Sequence, residues 1–209
     1  MKKGFTLVEM LVVIGIIAIL MGAAVAGFSK MTKTAERAKA QELVSNAATA
    51  LTTLFQQDGS WPKVVAQNGK TDGRLDEKVA LALAKKHLFS LTTTGSGSSF
   101  KLDGVDQFGI VTPWAAAAIK RLGNGASKAS SVGTATIEDH ILHYAVDIDG
   151  DGIIEGASVG GESVNIRATA AVWCVGKSGG SKGQPWPYTK GLKKDDVYSW
   201  TLGQTKNVK

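Results

Sequence analysis

The chain has 209 residues, which is enough for one soluble domain of about 150 residues behind an apolar amino-terminal segment. Cys174 is its only cysteine, and a single cysteine excludes an internal disulfide. The net charge of +6 comes from scattered lysines and arginines that do not alternate with aromatic residues. The composition therefore does not predict a dedicated nucleic-acid surface.

An uninterrupted apolar run occupies residues 10–28, and the first charge after it is Lys30. A run of this length predicts a helix that can cross the hydrocarbon core of a bilayer, which is about 30 Å thick. Glu9 lies at the amino-terminal edge of the run, although an ionised carboxylate is costly inside a membrane helix. Since the run contains no Lys or Arg, Glu9 is expected to need a cationic partner from outside it.

The residues before this run resemble a known type of leader. From Lys2 the chain reads Lys-Lys-Gly-Phe-Thr-Leu-Val-Glu and then Met, Leu, Val and Ile, which resembles the class III leader of type IV pilins and pseudopilins. The resemblance implies that a prepilin peptidase cleaves between Gly4 and Phe5 and methylates Phe5. It also implies that the ammonium group of Phe5 pairs with Glu9 of a neighbouring subunit. Residues 1–4 are then the leader peptide, and residues 5–29 are the transmembrane and filament-core half of the helix.

Two other interpretations of this segment stay open. An ordinary secretory signal peptide would use Lys2 and Lys3 as its basic region and would be cleaved after the Ala-Val-Ala of residues 24–26. A simple single-span anchor is the other alternative. Glu9 and the helical pattern that continues beyond residue 26 favour the pilin-type leader. All three interpretations export the rest of the chain, and the positive-inside rule keeps the two lysines in the cytoplasm.

Residues 30–57 predict a continuation of the helix with apolar side chains on one face. These positions recur at helical spacing and are Ala40, Val44, Ala47, Ala48, Leu51, Leu54 and Phe55. Gly59 and Pro62 follow the last periodic residue and predict the end of the helix. An amphipathic half of this kind is expected to pack on the exported globular domain of residues 58–209.

The globular part predicts helices first and strands last. Amphipathic spacing predicts a helix over residues 77–88, and a proline in the first turn predicts another over 113–122. Polar, glycine-bearing stretches predict a loop over 67–76 and a linker over 92–99. Clusters of Val, Ile, Thr, Tyr and Trp predict strands over 137–146, 163–175 and 197–202. The predicted fold class is therefore α+β and pilin-like, with the long amino-terminal helix packed on a small carboxy-terminal antiparallel sheet.

The carboxy-terminal half adds a weaker resemblance. The segments 106–109, 173–176 and 195–200 resemble those of major pseudopilins of type II secretion. In those proteins a loop of the form Ser-x-Gly-x-Asp-Gly, which ends in an acidic pair, often holds calcium. Here Ser178 stands where an acidic ligand is expected, and Lys177 beside it disfavours a cation. Asp195 and Asp196 remain as a second, weaker pair of candidate ligands.

A stronger calcium candidate is the segment Asp147-Ile-Asp149-Gly-Asp151-Gly-Ile-Ile-Glu155. Carboxylates at alternate positions with a glycine after the third match the first half of an EF-hand loop. The match then fails, because a serine occupies the place of the bidentate glutamate and a strand is predicted before the loop. Glu155 is the alternative fourth ligand. Calcium suits the segment better than Mg²⁺, which retains its waters, and a solvated turn without metal stays open as the alternative.

No catalytic site is predicted. His140 and His143 are three residues apart on a predicted strand and would point to opposite faces, which argues against a shared zinc ion. Cys174 follows an apolar strand with no histidine close in sequence, so a buried thiol is expected. The serines lack the strand–Gly-x-Ser-x-Gly–helix context of a hydrolase.

The resemblance therefore implies a structural subunit of a type IV pilus or a type II secretion pseudopilus. Its implied partners are further copies of itself in a helical filament, the prepilin peptidase, and an inner-membrane assembly platform with its ATPase. The subunit would wait in the bacterial inner membrane with its carboxy-terminal domain exported, and then join a periplasmic pseudopilus or a cell-surface pilus. A minor subunit at the filament tip is the alternative within this class. A membrane-anchored, calcium-dependent binding module of the periplasm or cell surface is the alternative outside it.

Overall fold

The computed structural model describes residues 6–66, 71–133, 135–159, 162–177, 196–200 and 205–207, and only the backbone at 23–30, 98, 162 and 205–207. Contacts divide the chain into two compact units, Met1–Ala38 and Lys39–Lys209. Among the described residues, no helix meets the length and hydropathy required of a membrane span.

Helix α1 runs over Leu7–Asp58, which confirms the long amino-terminal helix. It ends where the sequence predicts, because Gly59 adopts a positive φ of 64° and its amide donates to the carbonyl of Phe55 over 2.8 Å. In the second unit the apolar face of α1 is buried, and its buried residues are Ala40, Val44, Ala47, Ala50, Leu51 and Leu54. Five of the seven positions predicted for this face are therefore buried, and the other two, Ala48 and Phe55, are half-buried.

Helices α2, Glu77–Lys85, and α3, Pro113–Leu122, have local start signals. The side chain of Asp76 accepts hydrogen bonds from two amides of the first turn of α2, and Thr112 accepts one from the first turn of α3. Helix α2 is shorter than predicted because His87 takes a positive φ of 55°, and the amide of Leu88 donates to the carbonyl of Leu83. This pair of features ends the helix in a Schellman motif.

The strands are short. They are β1 Asp72–Arg74, β2 Thr93–Thr94, β3 Lys101–Leu102, β4 Ser131–Val132, β5 Ala135–Thr136, β6 His143–Val146, β7 Ile154–Val159, β8 Glu162–Ile166, β9 Ala170–Cys174, β10 Val197–Tyr198 and β11 Thr205–Asn207. A four-stranded antiparallel sheet has the order β1-β6-β9-β10, and a second antiparallel sheet has the order β11-β8-β7. Strand β2 pairs with β3, and β4 pairs with β5. The α+β fold class is confirmed.

Several predicted boundaries were wrong. The stretch 137–146 begins with a 3₁₀ turn, Glu138–His140, because Thr136 and Asp139 exchange hydrogen bonds and close that turn before β6. The stretch 163–175 is broken at residues 167–169 into β8 and β9, which lie in different sheets. The predicted loop 67–76 contains β1, the predicted linker 92–99 contains β2 and a 3₁₀ turn, and β7 was missed. At the carboxy-terminal strand, β10 covers only the first two predicted residues, and residues 201–202 lie outside those described.

The central sheet is buried on both faces within the second unit. One face packs against the helices through residues such as Tyr144, Val146 and Val172. The other face carries Ala145 and Trp173 and packs against β7 and β8. Because both faces are covered, β9 is a continuous apolar run, and β6 is apolar after His143, which is itself buried.

Candidate functional site

The first candidate site is the amino-terminal turn of α1. Thr6 donates from its backbone amide to Glu9 Oε2 over 2.9 Å and from its hydroxyl to the same oxygen over 2.8 Å. The amide of Glu9 in turn donates to Thr6 Oγ1 over 3.3 Å. This reciprocal pattern is a capping box, which satisfies helix-end amides that have no partner within the helix. The predicted processing residues Gly4 and Phe5 lie outside the described residues.

The surface behind Glu9 is apolar and exposed. The large hydrophobic side chains that α1 exposes in its first half are Leu7, Val8, Met10, Leu11, Val12, Val13, Ile14, Ile16, Ile17, Ile19, Leu20 and Met21. Their exposed fraction ranges from 44% at Val13 to 81% at Leu7. Soluble monomers rarely expose a contiguous apolar surface of this extent, so it marks a surface for other helices or for lipid.

The second candidate site is the acidic loop, residues 147–152, between β6 and β7. Carboxylate oxygens of Asp147, Asp149 and Asp151 lie within 4.8 Å of one another. Asp147 is buried, whereas Asp149 and Asp151 are exposed. Glu155 lies on β7 with an exposed side chain and is not part of this group. The structure thus brings three of the four predicted ligands together.

Hydrogen bonds within the acidic loop fix its shape. Asp147 accepts from the amide of Gly150 through Oδ1 and from the amide of Gly152 through Oδ2, each over 2.8 Å. Asp151 accepts from the amide of Ile153 over 2.7 Å. Both glycines have positive φ, 79° and 85°, which other residues adopt at a cost. Asp149 takes no part in these hydrogen bonds, so the loop shape depends on Asp147 and leaves Asp149 to solvent or to a cation.

A tryptophan anchors the acidic loop to α1, and sequence reasoning missed this contact. Trp61 Nε1 donates to the backbone carbonyl of Asp147, and the ring of Trp61 stacks on Phe55 of α1 with centroids 4.8 Å apart. The amide of Asp147 donates to the carbonyl of Thr169 over 3.0 Å. Trp61 is 86 residues away in sequence, and no local pattern signals such a contact.

The weaker metal pair lies in a different setting. Asp195 lies outside the described residues. Asp196 is buried, and its carboxylate accepts from the amide of Gly176 over 3.1 Å and from the Tyr198 hydroxyl over 3.3 Å. Burial raises the pKa of the Cys174 thiol to about 12, and the nearby charge of Asp196 contributes a smaller part of this shift. Both carboxylate oxygens of Asp196 therefore accept hydrogen bonds, and the one from Gly176 ties the end of β9 to the start of β10.

The two central histidines are structural. His140 lies in a 3₁₀ turn and not on a strand, which corrects the geometry expected from the sequence. Its Nδ1 lies 2.9 Å from the Thr112 hydroxyl, and burial lowers its pKa to about 4. His143 stacks on Trp173 with centroids 5.7 Å apart. Within the described ranges, the only group with the spacing of metal ligands is that of the three loop aspartates.

Comparison with known proteins agrees with the first site. Residues 1–25 match the prokaryotic N-terminal methylation motif, which confirms the predicted class III leader. The motif lies at the start of a long helix that is followed by antiparallel sheets, and this arrangement is similar to that of type IV pilins and pseudopilins.

One relative extends the likeness beyond the leader. The chain is 35% identical over 63 residues to the type IV major pilin protein PilE of Neisseria gonorrhoeae. The matched stretch is 30% of this chain and 38% of that protein, so the chain spans well under half the length of this curated relative. No solved structure matches the chain.

Proposed function

We propose that this protein is the subunit of a type IV pilus or of a type II secretion pseudopilus, and that it assembles through α1. The observation that carries the proposal is the exposed apolar surface of α1 from Leu7 to Met21, which begins beside Glu9. In a filament of identical subunits, copies of α1 cover this surface on one another. The methylation motif and the likeness to a major pilin support the same role.

The route to the filament starts in the bacterial inner membrane. The apolar run of residues 10–28 supports a single membrane crossing with the rest of the chain exported. A prepilin peptidase cleaves between Gly4 and Phe5 and methylates Phe5, and an assembly platform with its ATPase extracts the subunit. The amine of Phe5 then pairs with Glu9 of the adjacent copy, which neutralises the carboxylate among apolar helices.

Intact-mass measurement of the protein purified from its own host tests the processing step. We expect a chain that begins at Phe5 and carries one additional methyl group. A chain that begins at residue 27 would identify a secretory signal peptide and overturn the proposal. Retention of residues 1–4 would favour a membrane-anchored binding module.

Electron microscopy of sheared surface material separates the two kinds of filament. Antibodies raised against residues 58–209 would label long fibres if the protein is the major subunit of a pilus. Labelling only at fibre tips would indicate a minor subunit. The absence of labelled surface fibres would indicate a pseudopilus subunit or a membrane anchor.

We also propose that the acidic loop binds calcium. Three carboxylates that converge within 4.8 Å repel one another, and oxygen ligands from a loop of this kind suit a hard cation. Asp147, Asp149 and Asp151 would hold the ion, with Glu155 on β7 as a further ligand. Because the chain has a single cysteine, a bound cation would supply the loop stabilisation that a disulfide cannot. The same loop is what favours the second candidate function, a membrane-anchored, calcium-dependent binding module.

Thermal unfolding of residues 30–209 tests the calcium proposal. Calcium should raise the melting temperature relative to the same protein in chelator, because a ligand that binds only the folded state stabilises it. Mg²⁺ at the same concentration serves as the control and should have a smaller effect. Identical melting curves in calcium and chelator would leave a solvated turn.

A further inference from the structure

The side chain of His140 is fully buried beneath a small hairpin. Residues 126–136 form this hairpin, which we call the flap. Strands β4 and β5 lie in it, and residue 134 is outside the described part of the chain. The amides of Ile137 and Glu138 donate to two carbonyls of the flap over 2.9 and 3.0 Å. Because its strands have two residues each, the flap is a segment that can open while the rest of the second unit stays folded.

The hydrogen bonds of His140 fix which ring nitrogen carries its proton. Nδ1 lies 2.9 Å from the hydroxyl oxygen of Thr112, which is also fully buried. That oxygen accepts from the amide of Ala115 as the N-cap of α3, so the hydroxyl hydrogen is available for Nδ1. If Nδ1 carried a proton instead, the buried hydroxyl hydrogen would have no acceptor among the described residues. Neutral His140 therefore carries its proton on Nε2.

A second proton on His140 has no favourable place in the closed structure. It would occupy Nδ1 and take the position of the Thr112 hydroxyl hydrogen. Nε2 is already buried and forms no hydrogen bond of normal geometry with a described residue. Burial lowers the pKa of His140 to about 4, against smaller opposing effects of the Asp139 charge and of the Val132 carbonyl in the flap.

The surrounding elements supply little charge to balance a second proton. Helix α3 presents the ring of Trp114, whose centroid lies 6.3 Å from that of His140. In the turn itself, Asp139 is the charged neighbour that favours the proton, and Glu138 is bound to Arg74 of β1 over 2.9 Å. The closed flap therefore disfavours the imidazolium, whereas an open flap admits it to water.

We propose that His140 is a proton-binding site that opens the flap in acid. At neutral pH the ring accepts a hydrogen bond from Thr112, and the flap covers it. When the flap opens at low pH, water reaches the ring and Nδ1 takes a proton from the solvent. The flap then cannot close without burying the imidazolium. Opening also separates His140 from the N-cap of α3. This inference concerns the second unit alone and does not rest on the filament function.

Native-state hydrogen exchange of the full-length protein in detergent micelles tests the proposal. Protection is the exchange rate of an unstructured peptide of the same sequence at the same pH, divided by the observed rate. For the Ile137 amide, which the flap binds, protection should fall about 50- to 100-fold between pH 7.5 and pH 4.5. This ratio follows from a pKa of 6.5 in the open flap and about 4 in the closed one. Urea at low concentration should leave this protection unchanged, whereas it should reduce that of the amides between β6 and β9. Equal sensitivity to urea would mean that His140 is exposed only when the whole unit unfolds, and would overturn the flap.

Two variants assign the effect to a residue. His140→Asn cannot titrate and keeps an acceptor for the Thr112 hydroxyl at the position of Nδ1, so its Ile137 protection should change little between the two pH values. His87→Asn is the matched control, because that histidine is exposed and its positive φ of 55° suits asparagine. It should keep the full change. Undiminished pH dependence in His140→Asn would assign the effect to another group, such as the buried His143 of β6, and would overturn the proposal.

A measurement on the parent protein covers the case in which His140→Asn does not fold. Nitrogen-15 NMR distinguishes a ring nitrogen that carries a proton from one that only accepts a hydrogen bond. At pH 7 we expect the proton of His140 on Nε2 and an unprotonated Nδ1. A proton on Nδ1 would mean that the ring donates to Thr112, and would overturn the proposal.

Discussion

Cys174 illustrates how burial decides the chemistry of a single residue. Its thiol is buried at the end of β9, and its raised pKa of about 12 leaves almost no thiolate at neutral pH. We expect native protein to react with a thiol reagent at pH 8 about a thousandfold more slowly than unfolded protein, from the difference in thiolate fraction alone. Ser45→Cys on the exposed side of α1 is the control and should react at once. Rapid labelling of native Cys174 would show that the β9–β10 edge opens readily.

His140 makes the stability of the second unit depend on pH. Burial lowers its pKa from 6.5 to about 4, although the charge of Asp139 opposes this shift. Between pH 4 and pH 6.5 the unfolded chain binds a proton at His140 that the folded chain does not. The free energy of unfolding therefore has its full value above about pH 6.5 and decreases as the pH falls below it. We expect the free energy of unfolding to fall by about 2–3 kcal/mol between pH 7.5 and pH 4.5.

Urea unfolding of residues 30–209 at the two pH values measures this loss. His140→Gln cannot titrate, so its stability should fall less over the same range even if it is lower at both ends. Burial lowers the pKa of His143 as well, so part of the pH dependence remains in the variant. An equal pH dependence in parent and variant would assign the effect to other groups.

At the scale of elements, the helices were predictable because their signals are local. Asp76, Thr112 and Gly123 lie at helix ends and act on amides and carbonyls a few residues away. Strand β1, with the sequence Asp-Gly-Arg, has no strand propensity and exists because it pairs with β6, about 70 residues later. Strand β7 contains a register shift around Gly156, which interrupts the alternation that would have predicted it.

In the acidic loop, too, the contacts between residues close in sequence were predictable, and the contact with a residue distant in sequence was not. The alternate spacing of Asp147, Asp149 and Asp151 predicted their convergence, because successive loop positions are covalently constrained to lie near one another. The hydrogen bond from Trp61 to the Asp147 carbonyl could not be predicted, since it depends on how α1 packs against the sheet.

Two loop variants should separate folding from calcium binding. Asp147→Ala removes the acceptor of two loop amides in a buried position and should destabilise residues 30–209 by about 2 kcal/mol or more even in chelator. Asp149→Ala, which is exposed and outside those hydrogen bonds, should unfold like the parent in chelator.

In calcium at a hundredfold above its dissociation constant, the free energy of unfolding of the parent should rise by about 2.7 kcal/mol. Asp149→Ala should lose that gain, and retention of the full gain would place the ion elsewhere.

At the scale of the whole molecule, the sequence predicts the amino-terminal motif in more detail than it predicts the rest of the fold. The N-terminal methylation motif, at residues 1–25, depends on a few residues that are close in sequence, and its presence was therefore predictable. The remainder was predictable only as a class, because both faces of its central sheet are buried by segments that are distant in sequence. Among the described residues, the second unit exposes large hydrophobic side chains only at Leu122 and Ile148, whereas α1 exposes them from Leu7 to Met21.

In the proposed filament, assembly depends on Glu9, whereas folding of the second unit does not. Replacing Glu9 with valine removes a charge from the apolar half of α1, so membrane insertion should be as good as in the parent or better. In the proposed filament the variant would lose the attraction between the Glu9 carboxylate and the amine of the adjacent copy. That attraction would also set the axial register of neighbouring helices, which apolar side chains alone specify poorly.

We therefore expect Glu9→Val to be cleaved and methylated, to keep a second unit with the unfolding curve of the parent, and to accumulate in the membrane without filaments. Co-expression with the parent should give mixed fibres at reduced yield, because only the contacts in which a parent subunit supplies residue 9 keep the carboxylate–amine pair. Mass measurement of the membrane pool and electron microscopy of the sheared fraction check these outcomes. Filaments of Glu9→Val at the parental yield would mean that apolar packing alone aligns the helices, and that the carboxylate serves only the capping box with Thr6.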